Sequence, residues 1–167
     1  IAHYAIIEDN VIIGDNTTIG ANAHIKSFTT IGKNCRIFNG EVLGEIPQDL
    51  KFKNENSELI IGDSTSMREY CSLNRGTNAT WKSIICNNCL LLAYVDIAHD
   101  CIVGDDNVFA NNSGIAGHVI VGSNVTIGAL TTIHQFCQIG DFSFAGMNTS
   151  ITMDIPAFIK VASNPAR

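Results

Sequence analysis

The chain has 167 residues, enough for one domain with its own apolar core. Hydrophobic residues make up 46% and charged residues 16%, a balance that excludes an intrinsically disordered polypeptide. The formal net charge of -6 argues against a general nucleic-acid binder, and no apolar run nears the roughly 18 residues of a membrane span. No signal peptide is legible either.

From the first residue the chain repeats every six positions. Stepping from Ile1 gives Ile7, Ile13, Ile19, Ile25, Ile31, Ile37 and Leu43. After a break come Ile61, Met67 and Leu73; after a second break the series runs from Ile85 through Ile97, Ile115 and Ile133 to Ile151. Glycine follows the aliphatic ten times, as in Gly14, Gly104 and Gly140. This period matches neither a helix nor an alternating strand. It fits a short strand and a turn, three of which, about 18 residues, close one triangular coil of a parallel β-helix. The aliphatics are expected to point into the prism, and the glycines to take turn conformations that a Cβ hinders.

Two segments leave the repeat. Residues 44–58 (GEIPQDLKFKNENSE) and 74–84 (NRGTNATWKSI) read as loop excursions, either functional or tolerated surface insertions. The expected organisation is a β-helix over 1–153 and an extended C-terminal cap over 154–167. Cys35, Cys71, Cys89, Cys101 and Cys137 all fall four residues after the aliphatic, an inward position; Cys86 does not. They are read as buried reduced thiols in a cytoplasmic protein. Cys86 and Cys89 form a lone CxxC without the second ligand pair that zinc requires.

The histidines carry the functional signal. Residues one coil apart stack at about 4.8 Å, so His99, Gly117 and Gln135 form a column along one edge. His118 and His134 lie one residue to either side of that column, and Asp100 adjoins His99. His3 and His24 read as ordinary turn residues. A histidine near neutral pKa with a carboxylate beside it suits general base chemistry, and a glycine N–H one coil away suits an oxyanion. Together they point to acyl transfer to a hydroxyl or amine. No metal or organic cofactor is required. A zinc site is the competing chemical reading.

Hexapeptide repeats of this kind resemble those of the hexapeptide acyltransferases, whose all-β fold is a left-handed parallel β-helix. Three histidines on such a fold also resemble the γ-class carbonic anhydrases, but the His spacings here, 19 and 16, include no pair five residues apart as in that family. More specifically, IAHDC (97–101), ANN with IAGHV (110–119), IHQFC (133–137), IPQDLKF (46–52), MRE (67–69), NRGT (74–77) and NPA (164–166) resemble the acyl-ACP–UDP-N-acetylglucosamine O-acyltransferases of lipid A biosynthesis. That resemblance implies transfer of a 3-hydroxyacyl group from acyl carrier protein to the sugar 3-hydroxyl of a UDP-sugar. It implies His99 as general base, Asp100 as its orienting partner and Gly117 as oxyanion donor. It places His118, His134 and Gln135 in the substrate cleft, Asp49 and Lys51 on the sugar nucleotide, and Met147 where acyl length is measured. It also implies a homotrimer with sites between subunits.

The sequence departs from the family at Asp96, where a histidine is usual, and it ends at Arg167, before the family's C-terminal helical domain; it is read as lacking that domain. An N-acyltransferase acting on an amino-sugar nucleotide, or a non-catalytic β-helical relative, stand as alternatives. Lys51, Lys53, Arg68, Arg75, Lys82, Lys160 and Arg167 are candidates for a basic patch facing an acidic carrier protein, or are scattered solvated charges.

Overall fold

The computed structural model describes residues 1–167 and contains 23 short strands and no helix. No helix is therefore long and apolar enough to cross a membrane. The strands stack into three parallel sheets of eight, seven and eight strands, the faces of a triangular prism. The architecture is a left-handed parallel β-helix. The first face begins with Ile6–Ile7, the second with Ile12–Ile13 and the third with Thr18–Ile19. Each chain segment thus visits all three faces before returning one coil higher.

Most strands are two residues long, because each face is narrow and the repeat turns after the inward aliphatic. In Thr126–Ile127 the threonine is half-buried and the isoleucine fully buried, and in the next coil Phe144 faces outward, exposed, while Ala145 is buried. The key aliphatics from Ile19 to Ile151 lie in one continuous core of 31 buried residues, which also takes in the inward cysteines. Ile1 and Ile7 differ from the expectation: they are 79% and 36% exposed, because no coil covers them.

Beyond the two excursions the coils are in strict register, with Ile97 opposite Ile115 and Ile115 opposite Ile133. Across the first excursion Leu43 pairs with Leu73, and across the second Leu73 pairs with Ile97. Both insertions are whole multiples of the repeat, so the aliphatic series never loses phase. The flanking strands reach into both excursions. Val42–Glu45 and Glu58–Ile61 bound the first, leaving 46–57 as loop; Ser72–Asn74 and Lys82–Ile85 bound the second, leaving 75–81.

The glycines serve a different purpose from the one expected. The left-handed backbone falls three residues after the aliphatic, at Asn10, Asn16, Asn88, Asp100, His118 and Phe136 among others. Asn and Asp tolerate that region better than most residues, which explains their recurrence. The glycine directly after the aliphatic instead lies under the next coil. A Cβ on Gly128 would stand 2.5 Å from Met147 N, and one on Gly104 would stand 2.7 Å from Gly122 O. Close backbone approach, not turn geometry, demands glycine at those two positions; Gly44, with φ 84°, is the one glycine after an aliphatic that takes the left-handed backbone.

Side chains satisfy the turn amides that the sheets leave over. Asp105 Oδ1 accepts from Asn87 N at 2.7 Å, Ser123 Oγ from Asp105 N at 3.0 Å, and Asp141 Oδ1 from Ser123 N at 2.7 Å. The five inward cysteines are buried and free, as the spacing predicts, and Cys86 is half-buried. Cys89 Sγ donates to Gly104 O at 3.2 Å and Cys101 Sγ to Ala116 O at 3.2 Å, a role that Thr131 Oγ1 fills toward Gly146 O. Burial pushes the Cys101 thiol up to about 12 and that of Cys89 to about 11, so neither is a reactive thiolate.

The C-terminal segment does more than cover the last coil. Ile155 is buried and bridges to Ile139, and Lys160–Val161 pairs with Phe144–Ala145. Residues 155–161 therefore add a bridge to the second face and a strand to the third, in a coil tighter than those before it.

Candidate functional site

The site is built on the edge between the first and second faces. The chain leaves the strand Asp96–Ile97, and Asp100 turns with φ 59°. That conformation carries its side chain inward, where it is fully shielded from solvent. The loop 75–81 closes over it. Thr77 N donates to Asp100 Oδ1 at 2.9 Å and Thr77 Oγ1 to Oδ2 at 2.7 Å. Thr80 adds its backbone N–H at 3.3 Å and its hydroxyl. Burial alone would raise the Asp100 pKa, but hydrogen bonds from Thr80, Thr77 and His99 outweigh it and hold the carboxyl at about 2.

An ionised Asp100 only accepts hydrogen bonds, and this sets the state of its neighbour. His99 Nδ1 lies 2.8 Å from Asp100 Oδ2, so Nδ1 is the donor of that pair and Nε2 is left without a partner in the chain. The His99 ring lies flat against Gly117: a Cβ there would meet His99 Cε1 at 2.6 Å and Nε2 at 2.8 Å. The Gly117 N–H donates to no group of the chain, whereas the neighbouring His118 N–H is taken up by His99 O at 3.0 Å. A free backbone donor therefore stands beside the free nitrogen of His99.

His99 and His118 meet edge to face with ring centroids 5.1 Å apart, and His118 stacks on Phe136 at 4.7 Å. These residues line a cleft of about 470 Å³ with Gln135 and with residues 48–51 of the first loop. Within that loop Asp49 Oδ1 accepts from Lys51 N at 2.9 Å, a turn that sets both side chains at the cleft wall.

The column read from the sequence thus brings together His99, Asp100, Gly117, His118 and Gln135, and the first loop brings Asp49 and Lys51. Three expected members are placed elsewhere. His134 is exposed, with Nδ1 3.1 Å from Gln135 O; Phe136, not His134, is the aromatic neighbour of His118. The reason is register: His118 and Phe136 share the left-handed corner position, and His134 does not. Asp96 is half-buried on the outer side of the first face, between Ser72 and Gly114, and burial raises its pKa. Met147 is 69% exposed on the edge between the third and first faces, away from the cleft of its own chain. Thr77, Thr80 and Phe136 were not singled out from the sequence; the position of Phe136 one coil after His118 was the available signal.

Of the basic candidates only Lys51 lines the cleft. Arg68 pairs with Glu69 and lies over Phe38, Lys160 lies over Phe144, and Arg75 is buried between Phe28 and Phe52. As a metal centre the donor set fits poorly. Ligand atoms of His99, Asp100 and His118 lie within 4.8 Å of one another, but both Asp100 oxygens already accept from Thr77, Thr80 and His99. An ion would have to displace those bonds.

The fold and this edge define the class: a hexapeptide-repeat transferase, and the bacterial transferase hexapeptide (six repeats) model matches residues 1–27, 10–40 and 82–117. The acyl-[acyl-carrier-protein]–UDP-N-acetylglucosamine O-acyltransferase of Aliarcobacter butzleri is 46% identical over 182 residues, covering 97% of this chain and 70% of the relative. That of Campylobacter concisus is 36% identical and covers 98% of this chain and 63% of the relative. Among solved structures, LpxA from Acinetobacter baumannii superposes with a TM-score of 0.91 at 40% identity, covering 98% of this chain and 70% of that one. The UDP-N-acetylglucosamine acyltransferase from Campylobacter jejuni gives 0.94 at 36% identity, covering 98% and 64%. The chain belongs to the acyl-[acyl-carrier-protein]–UDP-N-acetylglucosamine O-acyltransferase family. It spans just under two thirds of the length of the two Campylobacter relatives.

Proposed function

We propose that this chain transfers an acyl group, a 3-hydroxyacyl chain in the family resemblance, from acyl carrier protein to the 3-hydroxyl of UDP-N-acetylglucosamine, a step in lipid A synthesis. The observation that carries the reading is the 2.8 Å pairing of His99 Nδ1 with buried Asp100, beside a free Gly117 N–H. In the proposed step the sugar hydroxyl oxygen attacks the thioester carbonyl carbon and its proton passes to His99 Nε2. Asp100 stabilises the imidazolium without taking a proton, since its pKa is about 2. The Gly117 N–H donates to the oxyanion of the tetrahedral intermediate. The C–S bond then breaks, and the leaving thiolate takes the proton from His99. Asp49, Lys51, His118 and Gln135 hold the nucleotide sugar in the cleft.

A homotrimer fits this reading. Met147 lies on a different edge from His99, so it reaches an acyl chain in the cleft only from a second copy. The outer side of the second face also presents Ile12, Ile102 and Ile120, which are 64%, 39% and 43% exposed. The six free thiols suit a reducing, cytoplasmic compartment.

The test is product formation from UDP-N-acetylglucosamine and a panel of 3-hydroxyacyl carrier proteins, read by mass. His99→Ala should lower turnover by about 10²–10⁴-fold, and Asp100→Asn, which can present an amide N–H to His99 Nδ1, should lower it comparably while both variants stay folded. Undiminished turnover in His99→Ala would sink the general-base role. Product only with amino-sugar acceptors would replace O-acylation with N-acylation.

A further inference from the structure

On the same prism edge, spanning the coils that precede that of His99, lies a second cleft of about 440 Å³ at the root of the first loop. Its walls include Lys26, Phe28, Ile46 and Arg75. Arg75 is only 9% exposed, and its Nε has no hydrogen-bond partner. It forms no ion pair with any carboxylate of the chain. Its guanidinium is instead held between two aromatic rings, 5.5 Å from the centroid of Phe28 and 5.6 Å from that of Phe52.

A buried cation without a counter-charge is costly, and two phenylalanine faces offset only part of that cost. They do hold the planar group still, leaving its N–H fork free to meet a planar or tetrahedral oxyanion. The two carboxylates at the cleft are committed elsewhere. Glu8 accepts from Lys26 at 2.8 Å, His24 at 2.9 Å and Ser27 N at 3.0 Å. Glu45 accepts from Ile46 N at 2.9 Å and faces Lys26 at 3.7 Å. The Lys26 side chain stays 23% exposed at the rim.

We propose that Arg75 and Lys26 form a binding subsite for a small oxyanion, a phosphate or carboxylate group, N-terminal of the His99 cleft on the same edge. The ligand accepts from the Arg75 fork and Lys26 supplies longer-range attraction. Because Phe52 directly follows the loop residues that line the His99 cleft, an anion here also sits where it steadies that loop.

The test is titration of the full chain with inorganic phosphate at constant ionic strength, followed by ³¹P NMR. The expected result is saturable binding that Arg75→Met weakens at least tenfold and Lys26→Met weakens less. Arg75→Lys keeps the charge without the fork and should recover part of the affinity, a control should Arg75→Met fold poorly. His99→Ala and Lys51→Met should bind phosphate as the parent does. Acetate, followed through the thermal midpoint, separates the two ligand chemistries: a rise with acetate that Arg75→Met removes assigns the site to carboxylates as well. Phosphate binding unchanged in Arg75→Met, or lost in His99→Ala, would overturn the proposal, as would the absence of saturable binding of either anion by the parent chain.

Discussion

Asp100 is the residue on which the site turns, and its environment is set by a segment far from it in the chain. Thr77 and Thr80 supply the donors that keep its carboxylate charged although it is sealed from solvent. The pKa is depressed from 3.8 to about 2, so the unfolded chain binds a proton there more readily than the folded one. The stabilisation, about 2 kcal/mol, is thus complete above pH ~4 and disappears as pH falls toward ~2. Thr80→Val removes one donor and should carry the Asp100 pKa back toward its ordinary value. Acid unfolding followed by circular dichroism should then show a smaller stability loss over that pH range. An identical acid profile would mean that Thr80 does not hold the charge.

At the scale of the element, the coil is a stack of interior columns, and each position tolerates what its neighbours above and below allow. Ala23, Cys71 and Val95 are buried with Glu41 in one such column. Neither oxygen of Glu41 has a hydrogen-bond partner, and burial pushes its carboxyl up to about 9, with Cys71 offsetting only part of the shift. The folded chain therefore keeps a proton on Glu41 that the unfolded chain releases above pH ~4.5. Stability falls as pH rises from ~4.5 to ~9, a loss of about 3 kcal/mol by pH 7. Glu41→Leu should stabilise the chain at pH 7 by an amount of that order and flatten the alkaline side of its stability profile. Chemical denaturation at pH 5 and pH 8 measures both, and a Glu41→Leu chain less stable than the parent at pH 8 would contradict the assignment.

For the whole molecule, the decisive question is how many copies make one site. Sedimentation equilibrium should give three times the chain mass, 18.0 kDa. With sites between copies, Met147→Gly should lengthen the acyl chain that is accepted while leaving the nucleotide-sugar KM unchanged, because its edge lies apart from Asp49, Lys51 and His99. A monomer with the parent's chain-length preference in Met147→Gly would place the acyl group elsewhere.

The amino-acid sequence by itself determined the coil. A strict six-residue period of inward aliphatics, with insertions that are multiples of the same unit, leaves one way to bury the repeat aliphatics from Ile19 to Ile151. That regularity also made the column of His99, Gly117 and Gln135 legible, since fixed register turns spacing into position. What repeats is readable; what departs from the repeat is not. The chain folds 75–81 onto Asp100, brings 48–51 across to His118, and traps Arg75 between Phe28 and Phe52. Those contacts join segments without a shared period, so no spacing announces them. His134 and Met147 show the same limit within the repeat: one residue of phase, or one turn of the prism, moves a side chain from the cleft to solvent or to another edge. Only the tertiary structure decided these placements, because side-chain direction at each corner follows from the backbone conformation there and not from residue type.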